Sequence, residues 1–187
     1  PDSSPGADTV STGIIGHATY VLVRSPQISI SDCGAIRAEN WYQNSPGHIA
    51  IQTDRLTLQS GGHISGNALG HSGTEGRGGN IAIQANEFVR VEGSSNGRDS
   101  TIASGTRSGN DAGSIAITTP WLYVADRGVI NTSTGRFGES GAGRIDISVD
   151  RLDLVNLGRL ASIEFGHTAS GGHIAVTDLT GKLKADT

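Results

Sequence analysis

A five-residue motif, Gly-x-Ile-x-Ile, recurs along this chain at nearly constant spacing. It limits the possible folds more than any other feature. It reads Gly47-His48-Ile49-Ala50-Ile51, then Gly79-Asn80-Ile81-Ala82-Ile83 and Gly113-Ser114-Ile115-Ala116-Ile117. Two further copies are Gly143-Arg144-Ile145-Asp146-Ile147 and the variant Gly172-His173-Ile174-Ala175-Val176. The leading isoleucines lie 32, 34, 30 and 29 residues apart. A period of this size marks a stacked-repeat architecture. Alternation of apolar residues at every second position marks strands with one buried face.

Each copy carries a second alternating pair seven residues on: Leu56/Leu58, Leu122/Val124 and Leu152/Leu154. In the second copy the pair is Val89/Val91, displaced by one position after Phe88, which predicts a β-bulge. A third apolar point follows at Ile64, Ile130 and Leu160, and at Ile102 after the insert Ser94-Ser95-Asn96-Gly97-Arg98-Asp99. The same offsets run backwards give a degenerate copy with Val21/Val23, Ile28/Ile30 and Ile36. Six turns then begin at 21, 49, 81, 115, 145 and 174.

These registers predict an all-β fold, a right-handed single-stranded parallel β-helix of about six turns, each of three short strands. No segment sustains a 3.6-residue period, so helices should be nearly absent. Ile49, Ile81, Ile115, Ile145 and Ile174 should stack into one core ladder, with rungs about 4.8 Å apart. The expected organisation is a cap or linker over 1–20, the β-helix over 21–183 and a short tail over 184–187.

Composition matters here for what it excludes. Glycine contributes 28 of 187 residues and apolar residues only 35%, a balance that suits disorder. The periodic placement of the apolar residues argues against that. A net charge of −4 without basic clusters makes the chain a poor partner for nucleic acid or anionic lipid. No run of about 18 apolar residues is present to insert in a membrane. The single cysteine, Cys33, excludes an intrachain disulfide and reads as a small packing residue. The chain has neither a signal peptide nor any Met, and is expected to be a piece of a longer precursor.

The block Gly78-Gly79-Asn80-Ile81-Ala82-Ile83-Gln84-Ala85-Asn86 resembles the repeats of filamentous-haemagglutinin-like exoproteins. So does Asp54-Arg55-Leu56-Thr57-Leu58-Gln59-Ser60-Gly61-Gly62-His63-Ile64-Ser65. The resemblance spans roughly 46–176. It implies a β-helical rod of a bacterial surface protein exported by two-partner secretion. It also implies an extracellular or cell-surface location and an outer-membrane secretion partner. Residues 1–45 do not show the family's secretion-domain signature, so the segment is expected to be internal or downstream.

The outward positions carry the candidate chemistry. Trp121 and Tyr123 flank the inward Leu122, so both should point outward. One turn later the same offset holds Arg151 and Asp153, which allows a cation–π stack of Arg151 on Trp121. The alternative is that the exposed indole stacks on sugars. Trp41 and Tyr42, in the first long connection, either cover the core or bind. These five residues, Trp121, Tyr123, Arg151, Trp41 and Tyr42, are the candidate ligand contacts.

The outward acids Asp54, Glu87, Asp146, Asp150 and Asp153 are scattered and form no carboxyl pair of the kind that glycosidases use. His48 and His173 are equivalent but four turns apart, while His63 and His71 lack a third ligand, so no metal or other cofactor is expected. The sequon Asn131-Thr132-Ser133 is incidental in a bacterial protein. The long connections Gly66–Gly79, Gly105–Gly113, Thr134–Gly143 and Gly166–Gly172 should line one edge.

The expected function is therefore structural and adhesive, without catalysis. The partners would be glycans or proteins of host or neighbouring cells. Two alternatives stay open: a carbohydrate-binding or carbohydrate-active β-helix, and a subunit that stacks head to tail in an extracellular filament.

Overall fold

The fold was analysed in a computed structural model that describes residues 20–40, 46–69, 76–107, 110–134, 141–163 and 171–185. Among them every regular element is a strand, and the parallel sheets coil into a β-solenoid. No described helix is long and apolar enough to cross a membrane. The expected cap (residues 1–19 of it), Trp41, Tyr42 and parts of all four long connections lie outside the described residues.

The first two apolar pairs of a repeat do not form separate strands. They lie on one continuous strand: β4 (His48–Leu58), β6 (Ile81–Glu92), β10 (Ser114–Ala125), β12 (Arg144–Val155) and β14 (His173–Ala185). Only in the first repeat are they divided, into β1 (Tyr20–Arg24) and β2 (Gln27–Ile30). Pro26 between them lacks an amide hydrogen, and its carbonyl accepts from the amides of Asp54 and Arg55 instead. β14 continues to Ala185, past the expected boundary at 183.

The long strands and β2 form a seven-stranded parallel sheet, in the order β1-β4-β6-β10-β12-β14. A second sheet takes the short strands β3 (Ala35–Arg37), β5 (His63–Ser65), β9 (Thr101–Ala103), β11 (Val129–Ser133) and β13 (Arg159–Ile163). A third side is marked by single parallel bridges running Asn40, Ala68, Thr106, Thr134. About four turns thus carry all three sides.

Ile49, Ile81, Ile115, Ile145 and Ile174 are direct partners across the first sheet. The first four are sealed from solvent, whereas Ile174 is 40% exposed, because β14 has a sheet neighbour on one side only. The register slips between Thr53/Arg55 and between Thr118/Trp121, where β6 inserts an extra residue. The bulge turns Asn86 and Glu87 outward. The Asn86 amide donates to Asp54, and Glu87 pairs with Arg55. The insert before Ile102 is a small antiparallel hairpin, β7 (Ser94–Ser95) and β8 (Arg98–Asp99). Its tip, Asn96-Gly97, has φ of 52° and 74°, the type I′ conformation that Asn-Gly favours.

The corner between the two sheets repeats the same turn. The amides of Gly34, Gly62, Gly128 and Gly158 donate to the carbonyls of Ser31, Gln59, Ala125 and Val155, three residues earlier. The two residues inside each turn have positive φ: Asp32-Cys33, Ser60-Gly61, Asp126-Arg127 and Asn156-Leu157. Short polar side chains tolerate this region, but Leu157 at φ 66° does not, and it is 70% exposed.

Replacing Leu157 by glycine should relieve about 1–2 kcal/mol of left-handed strain. The greater freedom of glycine in the unfolded chain offsets roughly 0.5–1 kcal/mol of it. The expected net gain is about 0.5–1 kcal/mol, read as a rise in the urea midpoint at constant m value. A lower midpoint would show that Leu157 packs on something that matters.

Candidate functional site

Outward residues of a parallel solenoid fall into columns, because each position meets its equivalent one turn away. On the first sheet one column runs Gln27, Arg55, Phe88, Trp121, Arg151, and the next runs Ser29, Thr57, Arg90, Tyr123, Asp153, Lys184. The structure thus brings together three of the sequence candidates, Trp121, Tyr123 and Arg151. It adds Phe88, Arg90 and Asp153 to them.

The three rings meet edge to face. Phe88 and Trp121 have centroids 6.2 Å apart, and Trp121 and Tyr123 5.8 Å apart. The Arg151 guanidinium lies 5.2 Å from the centre of the Trp121 ring. Arg90 stands 6.0 Å from the same ring and 5.2 Å from that of Tyr123. Arg90 also pairs with Glu92 at 3.4 Å.

Asp153 ties the group down. It was expected among the outward acids, and it does lie on the outer face, but it is only 3% exposed because Trp121 and Arg151 cover it. Its Oδ2 accepts from Trp121 Nε1 at 2.8 Å and from Arg151 at 2.8 Å. The indole of Trp121 is therefore engaged at its N–H and stacked by guanidinium, and it is held as part of a latch across three turns.

A second feature was not singled out in the sequence. The outer face of the second sheet holds a furrow of about 420 Å³, roofed on one side by the β7–β8 hairpin. Its floor is the column Ser65, Ala103, Asn131, Ala161. Beside it runs His63, Thr101, Val129, Arg159. Glu39 and Asn67 form the other rim.

The polar groups of the furrow are mostly paired. Ser65 donates to Glu39, and Asn67 Oδ1 accepts from the Gly105 amide. Asp99 takes Arg127 at 2.9 Å and Arg159 at 3.7 Å. One group is not paired. Asn131 Oδ1 is buried without a hydrogen-bond partner, since its neighbours in the column are Ala103 and Ala161. Such an orphan costs about 1–3 kcal/mol. It also places Asn131 of the sequon in a half-covered furrow, with the Thr132 side chain fully buried in the core.

His63 sits at one end of the furrow. Its Nε2 accepts from Arg37 Nε at 2.8 Å, and Nδ1 faces the Gly61 carbonyl at 3.5 Å. Partial burial, and then the Arg37 charge, depress its pKa below the ordinary histidine value.

Comparison with family models, curated proteins and solved structures finds no match to the chain. The aromatic group was visible as Trp121 and Tyr123. The furrow's only sequence signal was the insert that delays Ile102.

Two outcomes follow. Asp153→Ala strips the partner from Trp121 Nε1 and from Arg151, and should lower stability by about 1–3 kcal/mol in urea titration. A loss within error of zero would mean that the latch is idle. For His63, the unfolded chain binds the proton more readily than the folded one. Its contribution to stability is therefore complete above the ordinary value near 6.5 and declines as pH falls below it. The imidazole midpoint in an NMR titration should lie below 6.5 and move up in Arg37→Ala; an unchanged midpoint would remove Arg37 as a cause.

Proposed function

We propose that this chain is a structural and adhesive segment of a secreted bacterial surface exoprotein of the filamentous-haemagglutinin-like kind. In this reading it is a right-handed parallel β-helix of six turns with three strands per turn. It works as a rigid spacer that holds recognition surfaces away from the cell and carries out no catalysis. Its partners are glycans or proteins on host or neighbouring cells, and an outer-membrane protein of the two-partner pathway exports the parent chain.

One observation carries this reading: a repeating isoleucine ladder lies beneath an outer face that changes from turn to turn. The ladder Ile49, Ile81, Ile115, Ile145 and its neighbours Ile51, Ile83, Ile117 and Ile147 are all sealed in the core. Variation is heaviest on the outside, in the β7–β8 insert, the bulge at Asn86-Glu87 and the columns of Arg, Tyr and Trp, whereas buried positions change only among small or apolar side chains such as Thr53, Ala85, Thr119 and Val149. A rod of this design changes its outer face without disturbing its core, which suits display.

Beads coated with the chain should aggregate cells or adhere to them saturably, and free chain should compete. Inert beads, or release of reducing ends from a polysaccharide incubated with the chain, would defeat the adhesive reading.

A further inference from the structure

The hairpin insert ends in the dipeptide Asn96-Gly97, and its surroundings leave that tip open to chemistry. Asn96, Gly97 and Arg98 are exposed, and a Cβ on Gly97 would meet no atom within 4 Å. Glycine therefore stands there for its φ of 74° and not for want of space. Among the described residues, neither the Asn96 side-chain amide nor the Gly97 backbone amide has a hydrogen-bond partner. A carboxamide and the next backbone nitrogen are thus adjacent, unengaged and in water.

Another asparagine of the chain provides the contrast. Asn156 holds the same first position of a two-residue turn, with φ of 47° against 52° for Asn96. Its amide donates to Asp126 Oδ1 at 3.1 Å, and its carbonyl accepts from the Arg127 amide of the preceding turn. Its successor is Leu157, whose side chain crowds the backbone nitrogen. Gly97 brings no such obstacle. The β7–β8 hairpin is held by two residue pairs, Ser94 with Asp99 and Ser95 with Arg98. A ribbon so short is marginal by itself, so its tip relaxes readily. Relaxation is required, because a type I′ turn sets the second residue's nitrogen roughly opposite the first residue's Cβ.

We propose that Asn96 is a site of spontaneous deamidation, where the Gly97 amide converts the hairpin tip to a mixture of aspartate and isoaspartate. Hydroxide takes the Gly97 N–H proton, and the nitrogen attacks Asn96 Cγ within the same chain. The new N–Cγ bond closes a succinimide ring. The Cγ–Nδ2 bond breaks, and Nδ2 leaves as ammonia with a proton from water. Water then adds to either ring carbonyl. Opening at the N–Cγ bond leaves aspartate in place of Asn96. Opening at the bond to the main-chain carbonyl carbon leaves isoaspartate. The net change consumes one water and releases one ammonia, with no oxidation or reduction. Isoaspartate adds a backbone atom that a two-residue turn cannot hold, and either product sets a carboxylate beside Arg98. The change stops at the hairpin's base. Asp99 pairs with Arg127 at 2.9 Å, the Ser100 amide donates to the Gly93 carbonyl, and the Gly61 amide donates to Ser100 Oγ. The outer face thus alters with age while the stack keeps its register. This site stands independently of the export and adhesion reading.

Trypsin releases Asn96 in the peptide 91–98 and Asn156 in the peptide 152–159, each with a single asparagine. The folded chain is incubated at mildly alkaline pH, and both peptides are followed by mass spectrometry against synthetic aspartyl and isoaspartyl standards. The 91–98 peptide should exchange amide for acid at least about tenfold faster than 152–159, and should yield both isomers. Its rate should rise with pH and lie within about tenfold of the rate in the urea-unfolded chain. The proposal is overturned if folding slows Asn96 by more than that, or if Asn156 reacts as fast. Aspartate as the sole product would also overturn it, because direct hydrolysis bypasses the succinimide.

Discussion

Each turn of this solenoid lies so close to the one before it that the backbone itself sets the limit. A Cβ on Gly113 would stand 1.9 Å from the carbonyl oxygen of Gly79, and one on Gly143 would stand 1.8 Å from that of Gly113. Neither contact is compatible with a side chain, so the motif glycine is there for lack of volume. The Gly143 carbonyl in turn accepts from the amide of His173, and the Gly113 carbonyl from that of Arg144. Glycine at this corner lets the chain enter the long strand in register. Register then brings isoleucine over isoleucine.

The second corner solves the reverse problem, leaving the long strand for the short one. It uses a type I′ turn in four of the turns, closed by the glycines at 34, 62, 128 and 158. In the third turn the hairpin insert stands in its place, and Ser100 occupies the position of the glycine. Ser100 is fully buried, and its hydroxyl accepts from the Gly61 amide of the preceding turn. The insertion is therefore absorbed without breaking the stack, since Thr101 and Ile102 return to register with His63 and Ile64. A solenoid tolerates such an excursion because each turn answers only to its two neighbours.

The inner face was legible in the sequence because burial imposes a period, and a period survives in one dimension. Ile49, Ile81, Ile115 and Ile145 could be aligned by eye and are aligned in space. The single strand joining Ile49 to Leu58 was not legible. The inward positions change parity after Thr53, from Ile49, Ile51 and Thr53 to Leu56 and Leu58, so two apolar pairs looked like two strands. The aromatic group was half legible for a related reason. A constant offset from the first isoleucine sets Glu87 opposite Trp121, but the extra residue in β6 moves Phe88 there and Arg90 opposite Tyr123. The bulge itself was legible in the displaced pair Val89/Val91, while its consequence on the outer face, Phe88 against Trp121, is seen only in the register. The furrow was illegible because its defining residues, Ala103, Asn131 and Ala161, matter for what does not stand beside Asn131.

Average charge is a poor guide to the local field on such a scaffold. The chain as a whole is acidic, with a net charge of −4. On the first sheet the acids are spent close to home: Glu87 on Arg55, Asp146 on Arg144, Asp153 on Arg151. The Arg144 side chain holds the Asp146 carboxyl below its ordinary range, and Glu87 raises Arg55 further above its own. The Arg55–Glu87 and Arg144–Asp146 pairs are exposed and contribute little to stability, unlike the buried Asp153. On the second sheet one carboxylate, Asp99, serves two arginines, and His63 is held neutral beside a third. Charge partners are thus supplied by neighbouring turns. The stacking makes this possible, because it fixes which residues are neighbours thirty positions apart and leaves composition free everywhere else.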